Sequence, residues 1–352
     1  MTLTARDILL FALVFGLIAL SGFTQSWNVA LGIVNMGLIS AIMALGVNMQ
    51  WGYAGLFNVG VMGFVALGGL GAVVISMPPV GEAWAAGGLR VIGGLILGIA
   101  TIAAAVMAYK RLVPGLTRTL VMVAILVAGF FLFRGVFDAG VEAVEAIDPA
   151  STGYLGGLGL PILLAWPVGG ALAAGAAWLV GKTALGLRSD YLAIATLGIA
   201  EIVIAMMKNE DWLARGVKNV IGLPRPVPYE IDLQNDPAFV ERMTNWGYDP
   251  VIASSIWVKL GYTGLFLAVL IILLWLAQSA LSSPWGRMMR AIRDNETAAE
   301  AMGKDVTARH LQIFILGSAV CGLAASRVVP SSCCKAKAAI KSLTDVSDEE
   351  VI

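Results

Sequence analysis

Long runs of apolar residues separated by short polar segments dominate the chain. An α-helix needs about 20 apolar residues to cross the hydrocarbon core of a bilayer. By this criterion the pattern predicts nine membrane spans, at residues 8–23, 27–49, 53–77, 89–109, 119–133, 161–180, 191–207, 256–281 and 311–329. The runs at 8–23 and 119–133 are short for full spans, and 8–23 also fits the core of a signal peptide, although no A-x-A-like cleavage site follows it.

Composition favours lipid as the surroundings of this chain. It is 59% hydrophobic and 13% charged, whereas soluble domains carry roughly 25% charged residues. We therefore predict an all-α, polytopic transmembrane bundle. The 23 basic and 23 acidic residues balance, which argues against a nucleic-acid partner, and one histidine with three cysteines gives little basis for a metal site. We expect no cofactor.

The distribution of basic residues predicts the orientation, because short cytoplasmic loops are enriched in Lys and Arg. With the N-terminus in the cytoplasm, the inward segments hold most of the positive charge of the short loops. These residues are Arg6, Lys110, Arg111, Arg118, Lys182, Arg188, Arg287, Arg290, Arg293, Lys304 and Arg309. The short outward segments hold only Arg90 and Arg134. We therefore expect a cytoplasmic N-terminus.

Glycine is frequent, with 41 residues in the chain and five of them between positions 60 and 71. Dense glycine in a membrane span permits a break in the helix where protein or a water-filled path lines it. It also permits close packing of neighbouring helices. Both alternatives stay open for this segment, and we expect some helices to be broken at glycine.

A charged segment at residues 282–310 separates the last two predicted spans. Pro284 and Gly286 end one helix, and Asp294 or Asn295 caps the next. Three arginines, Arg287, Arg290 and Arg293, recur every three residues and so share one helical face. By itself, this pattern indicates a positively charged cytoplasmic loop.

The sequence SPWGRMMRAIRDNETAAEAMG at residues 283–303 resembles the EAA loop of bacterial ATP-binding-cassette (ABC) importer permeases. The resemblance implies a short coupling helix that docks into a groove of a cytoplasmic ATPase, with small residues letting it sit deep. It also implies a set of docking residues. These are Arg290, Arg293, Asp294, Glu296, Ala299, Glu300 and Gly303.

Two further stretches resemble the branched-chain amino-acid permeases, the inner-membrane subunits of binding-protein-dependent importers. They are ALGVNMQWGYAGLFNVGVMGFVALGG at residues 44–69, and LRSDYLAIATLGIAEIV at 187–203 followed by GLPRP at 222–226. The resemblance implies a bacterial plasma-membrane protein that moves an amino acid. The partners that it implies are cytoplasmic ATP-binding subunits, a second permease subunit and a periplasmic substrate-binding protein.

Four of the polar residues at or inside predicted spans are candidates for a functional role: Asn48, Gln50, Asn58 and Glu201. Buried amides in a membrane protein often join helices by hydrogen bonds. A carboxylate within a span is costly, so Glu201 should face protein or water. Each of the four residues either stabilises the bundle or lines a translocation path, and the sequence leaves both alternatives open.

The resemblance ends after residue 325, where the family would continue with further hydrophobic helices. We expect residues 1–329 to form the transmembrane domain and residues 330–352 to form a polar, disordered tail, because the tail has no apolar run long enough to span. An altered or truncated reading frame would explain this departure.

Three other functions compete with that of an importer subunit for branched-chain amino acids. A self-sufficient secondary carrier could use Glu201 in a proton or cation relay, but it has no need for an EAA-like loop. A permease for urea or short amides would share the same motifs. An enzyme is disfavoured because no cluster of His, Cys or carboxylates has catalytic spacing.

Overall fold

A computed structural model describes residues 5–325 of the protein, except residues 114, 148–152, 217–219 and 221 and the side chain of Ser189. Helices make up most of this part of the chain, and an isolated β-bridge joins Pro79 to Gly156. The prediction of an all-α fold is confirmed.

The helices run from the first described residue to the last. They are α1 (Ala5–Thr24), α2 (Trp27–Asn48, continued by a π-helical turn Met49–Tyr53), α3 (Val61–Ser76), α4 (Gly81–Ala83, continued by a π-helical turn Trp84–Gly88), α5 (Leu89–Arg111), α6 (Leu116–Glu145), α7 (Ile162–Ala184), α8 (Ser189–Asn209), α9 (Asp211–Ala214), α10 (Glu230–Asn235), α11 (Pro237–Asn245), α12 (Pro250–Ser282), α13 (Pro284–Asp294), α14 (Glu296–Ala301) and α15 (Val306–Ala325).

Within the described ranges, eight helices are long and apolar enough to cross a membrane, and α3 is a shorter apolar helix. The nine predicted spans therefore correspond to eight long helices and one short one. At 16 residues, α3 is about 24 Å long, which is short of the roughly 30 Å hydrocarbon core. The predicted span 53–77 differs because its first eight residues are not part of α3.

The predicted span 119–133 is the apolar centre of the much longer α6, which has 30 residues. Past Phe133 the helix continues into a more polar stretch, which contains an ion pair along the helix. Arg134 donates to Asp138 at 2.7 Å, four residues further on. A hydropathy window stops at the first such charge, whereas the helical backbone does not.

The described residues fall into two compact units. The first comprises residues 5–72, 161–204 and 223–325. Within it, α15 packs against α2 and α7, and α12 packs against α2. A Cβ atom at Gly68 of α3 would collide with the backbone of Gly322 in α15. The glycines of residues 60–71 therefore serve close helix packing here, the usual way in which membrane helices associate.

The second unit comprises residues 73–160 and 205–222, except those left out above. Its core joins α5, α6 and α9 through Val91, Val144 and Trp212, each buried. In the loop after α6, burial raises the pKa of the Tyr154 hydroxyl, partly offset by the positive charge of Arg215. This unit holds none of the predicted site residues.

The predicted polar tail, residues 330–352, lies outside the described residues, as do the last four residues of the predicted span 311–329. Helix α15 begins five residues before that span, at Val306.

Candidate coupling and translocation sites

The chain between α2 and α3 leaves the helical conformation inside the first unit. A π-helical turn ends at Tyr53, and Gly55 has a φ of +72°, a conformation that glycine adopts without strain. Burial then alternates along the extended segment: Leu56, Asn58 and Gly60 are buried, whereas the two residues between them are exposed. We call residues 55–60 the break segment.

A buried hydrogen-bond network holds the break segment to α15. The Gln50 amide donates to the carbonyl oxygen of Phe314 at 2.8 Å and to the Ser318 hydroxyl at 3.0 Å. Its own oxygen accepts a bond from the Asn58 amide at 2.8 Å, and the Asn58 oxygen accepts one from the backbone N–H of Gly60 at 2.9 Å. Every side-chain nitrogen and oxygen atom of Gln50 and Asn58 is thereby paired. For these two residues, the geometry favours helix stabilisation.

Asn48 and Glu201, the other two of these four candidates, have exposed side chains in this chain. Glu201 is the thirteenth of 21 residues in α8, so its Cα lies about 12 Å from the nearer helix end. It is rotated by about 140° from Thr196, which is buried and receives the break segment through a bond from the N–H of Val59. Glu201 therefore lies on the outer face of α8, and no hydrogen bond or ion pair to it occurs within the described part of the chain.

The charged segment after α12 folds as two short helices with different environments. Helix α13 is amphipathic, and its residues Met289 and Ile292 are almost completely buried in the same core as Met49, Leu56 and Phe314. This apolar face anchors α13 beside the break segment.

Helix α14 is held at both ends but is largely exposed. The Asn295 side chain accepts a bond from the backbone N–H of Ala298 at 2.9 Å, which caps the N-terminus. At the other end, Gly303 has a φ of +74° and donates to the carbonyl oxygen of Glu300 at 2.8 Å. Glu296 and Glu300 are exposed, whereas Ala299 packs partly against the core. The arrangement presents a short helix with small and acidic side chains.

Two arginines of α13 bond to neighbouring parts of the same chain. Arg290 reaches the carbonyl oxygen of Leu281 at the end of α12, at 3.5 Å. Arg293 donates to the carbonyl oxygen of Gly52 at 2.5 Å and pairs with Asp294 at 3.2 Å. Of the predicted docking residues, Asp294, Glu296, Ala299, Glu300 and Gly303 thus lie together around α14, while Arg290 and Arg293 point back to the membrane helices.

Two features of these sites were not singled out from the sequence. Met302 is 81% exposed at the end of α14, an apolar side chain beside acidic ones. Met302 lies inside the EAA-like stretch at residues 283–303. An apolar side chain in a polar loop is the signal that could have singled it out. Ser318 and the Phe314 carbonyl complete the Gln50 network, but no local pattern links them to Gln50.

A family model described as the branched-chain amino acid transport system / permease component matches residues 116–334, more than half of the chain. The chain belongs to this family of permeases. The family predicted from the motifs is confirmed. The match covers α14 and α8, whereas the break segment precedes it.

Curated relatives of this permease carry matching names. It is 30% identical over 236 residues to the high-affinity branched-chain amino acid transport system permease protein LivM of Escherichia coli (strain K12), and equally to that of Salmonella typhimurium. The aligned part is 64% of the chain and 51% of each relative. A probable branched-chain amino acid transport permease protein LivM of Methanocaldococcus jannaschii is 28% identical over 139 residues, 39% of the chain and 33% of the relative. The permease thus spans about half the length of its first two relatives, and no solved structure matches it.

Proposed function

We propose that this permease is the membrane-spanning subunit of an ABC importer for branched-chain amino acids. In this role it forms part of the translocation path and couples that path to ATP hydrolysis by a cytoplasmic ATPase. The family membership and the names of the relatives support the transport class. The observation that carries the coupling role is α14, a capped and exposed helix fixed to the membrane helices by the buried face of α13.

The coupling surface consists of α14 and its flanking residues. Small side chains on a capped helix suit a groove, because they allow close approach of the partner. The exposed carboxylates Glu296 and Glu300 suit a basic rim, and the exposed Met302 suits an apolar contact inside the groove. Asp294, Ala299 and Gly303 support this surface, whereas Arg290 and Arg293 lie on α13 and bond to the ends of α12 and α2.

Glu201 lines the translocation path in this proposal. A carboxylate about 12 Å from the helix end, on the outer face of α8, is costly against lipid and needs water or protein around it. A path between this permease and a second permease subunit supplies both. The negative charge of Glu201 also complements the ammonium group of an amino acid. Asn48, exposed at the end of α2, is a further lining candidate.

The remaining roles belong to partners. ATP hydrolysis falls to cytoplasmic ATP-binding subunits, because this sequence has no G-x-x-x-x-G-K-[ST] phosphate loop. A periplasmic substrate-binding protein delivers the amino acid, and the permease itself performs no chemical step and needs no cofactor. The protein lies in the plasma membrane with its N-terminus in the cytoplasm, so that α14 faces the ATPase.

A charge introduced on α14 tests the coupling role. Ala299→Arg should block binding of the ATP-binding subunits, since an arginine enlarges the face of a small helix. Because Ala299 packs partly against the core, Ala298→Arg is the cleaner variant, as Ala298 is exposed. The matched control is Glu241→Arg on the exposed side of α11.

The measurement is co-purification from membranes with the ATP-binding subunits, the second permease and the binding protein, followed by ATP-dependent uptake of labelled leucine. We expect both α14 variants to lose the ATP-binding subunits and uptake while the control keeps them. Normal assembly and uptake in both variants would overturn the coupling role. Leucine uptake without any ATP-binding subunit would favour a secondary carrier, and preference for urea or short amides would change the substrate.

A further inference from the structure

Arg293 connects the two parts of the permease that coupling must join. Its guanidinium group donates to the carbonyl oxygen of Gly52, in the π-helical turn that ends α2, although the two residues are 241 positions apart. The same group holds Asp294, one residue before the N-cap of α14. One side chain therefore bonds to the broken membrane helix and to the base of the exposed helix.

The break segment is shaped to receive this arginine. A Cβ atom at Gly55 would lie 3.2 Å from the Cγ atom of Arg293, so the absence of a side chain there leaves room for the arginine stem. Carbonyl groups at a helix C-terminus lack partners within the helix and carry partial negative charge. A guanidinium group satisfies both the hydrogen bond and the charge.

Apolar packing runs in parallel with this hydrogen bond. Ile292 and Met289 of α13 share a core with Leu56 of the break segment. The break segment is also held to α15 through Gln50 and Asn58. A displacement of α13 therefore acts on a segment whose backbone has few helical hydrogen bonds of its own, and π-helical turns of this kind often occur at functional sites.

We propose that Arg293 is a transmission residue, which carries movement of the coupling helix to the break segment through Gly52, rather than a docking residue for the ATPase. This inference rests on the proposed function. The ATPase then docks on α14, and Arg293 connects α13 to the break segment. A change at Arg293 should separate ATP hydrolysis from transport without loss of assembly.

The test uses the importer reconstituted with its ATP-binding subunits, second permease and binding protein. Arg293→Met removes the guanidinium group and keeps most of the side-chain volume, and Arg293→Lys keeps the charge. Arg287→Met is the matched control, because Arg287 is exposed on the same helix and bonds to the Ser282 carbonyl, away from the break segment. We expect Arg293→Met to assemble and hydrolyse ATP, while leucine transported per ATP falls about five-fold or more. Arg293→Lys should recover part of this ratio.

A second readout follows the break segment itself. Phe57→Cys introduces a thiol at a residue that is 42% exposed, in a chain whose Cys333 and Cys334 are replaced by serine and whose Cys321 is buried. ATP should change the rate of thiol labelling in the otherwise unaltered importer, and Arg293→Met should abolish that change. A purely structural cap would alter the labelling rate with and without ATP alike.

The outcomes separate the two proposals. If Arg293→Met transports normally per ATP, or if labelling at position 57 responds to ATP as before, the transmission role is wrong. An importer that transports leucine without any change in labelling would also overturn it, since the break segment would not move. Loss of ATP-binding subunits in Arg293→Met would return Arg293 to the docking surface. Failure of the unaltered chain to assemble or transport would overturn the proposed function instead.

Discussion

Two sets of polar residues in the membrane helices have opposite environments. Gln50 and Asn58 are buried, and each side-chain polar atom has a protein partner. Glu201 lies about 12 Å from the end of α8 with an exposed side chain. A satisfied amide network costs little and fixes one arrangement of helices, whereas an exposed carboxylate at this depth needs surroundings that the chain alone does not supply. The first set stabilises the bundle, whereas the role of Glu201 in the translocation path is our proposal.

The sharpest test of this contrast is Gln50→Leu. The leucine removes the acceptor of Asn58 and the donor to Phe314 and Ser318, which leaves buried groups unpaired. We expect the free energy of unfolding to fall by about 3 kcal/mol. The measurement is unfolding of the purified permease by SDS in mixed micelles. Asn48→Leu, at an exposed position of the same helix, should change it by less than about 0.5 kcal/mol. Equal losses in both would show that the network is not what stabilises this region.

Asn58→Ala should have the next largest effect. The change removes the bond to the Gln50 oxygen and the acceptor for the N–H of Gly60, but it leaves the bonds of Gln50 to α15 intact. The expected loss is about 2 kcal/mol in the same unfolding experiment. In the double variant Gln50→Leu with Asn58→Ala, the losses should be less than additive, because the two amides share a bond. Full additivity would contradict a connected network.

Ser318→Ala should have a small effect on stability. The Gln50 amide loses one of two acceptors and keeps the Phe314 carbonyl at 2.8 Å. We expect a loss below about 1 kcal/mol. A loss as large as that of Gln50→Leu would mean that Ser318, and not the Phe314 carbonyl, carries the contact with α15.

Glu201→Gln should have the smallest effect on stability and a large one on transport. The amide has nearly the same shape, and the side chain is exposed, so the free energy of unfolding should change by less than about 0.5 kcal/mol. In the reconstituted importer, leucine uptake should fall about ten-fold or more, equivalent to about 1.4 kcal/mol. A loss of stability like that of Asn58→Ala would make Glu201 structural, and unchanged uptake would remove it from the path.

Much of the fold followed from local pattern. The apolar runs predict the membrane helices because each must be long enough to cross the same bilayer thickness. The start of the helix within span 53–77 did not follow from local pattern, because this largely apolar stretch looks alike whether it is helical or extended. The bend near Gly55 depends on contacts with Arg293 and α15, which a hydropathy profile does not contain.

For the candidate sites too, local features could be predicted from the sequence, whereas long-range contacts could not. Residues 283–303 predict a short helix that begins after Asp294 or Asn295, and the Asn295 cap and the positive φ of Gly303 are local features that the structure has. The sequence groups Arg293 with its neighbours in the motif. Its bond to Gly52 joins residues 241 positions apart, so no local spacing reveals it.

The sequence by itself determined that this chain is an all-α membrane protein of the branched-chain amino-acid permease family, because apolar length and motif composition are properties of short stretches. Tertiary structure alone decided which polar residues are paired. Gln50 reaches Ser318 across 268 positions and is buried, while Glu201 faces outward. The side of a helix on which a polar residue lies can be given by periodicity, but what covers that side depends on helices brought together by folding.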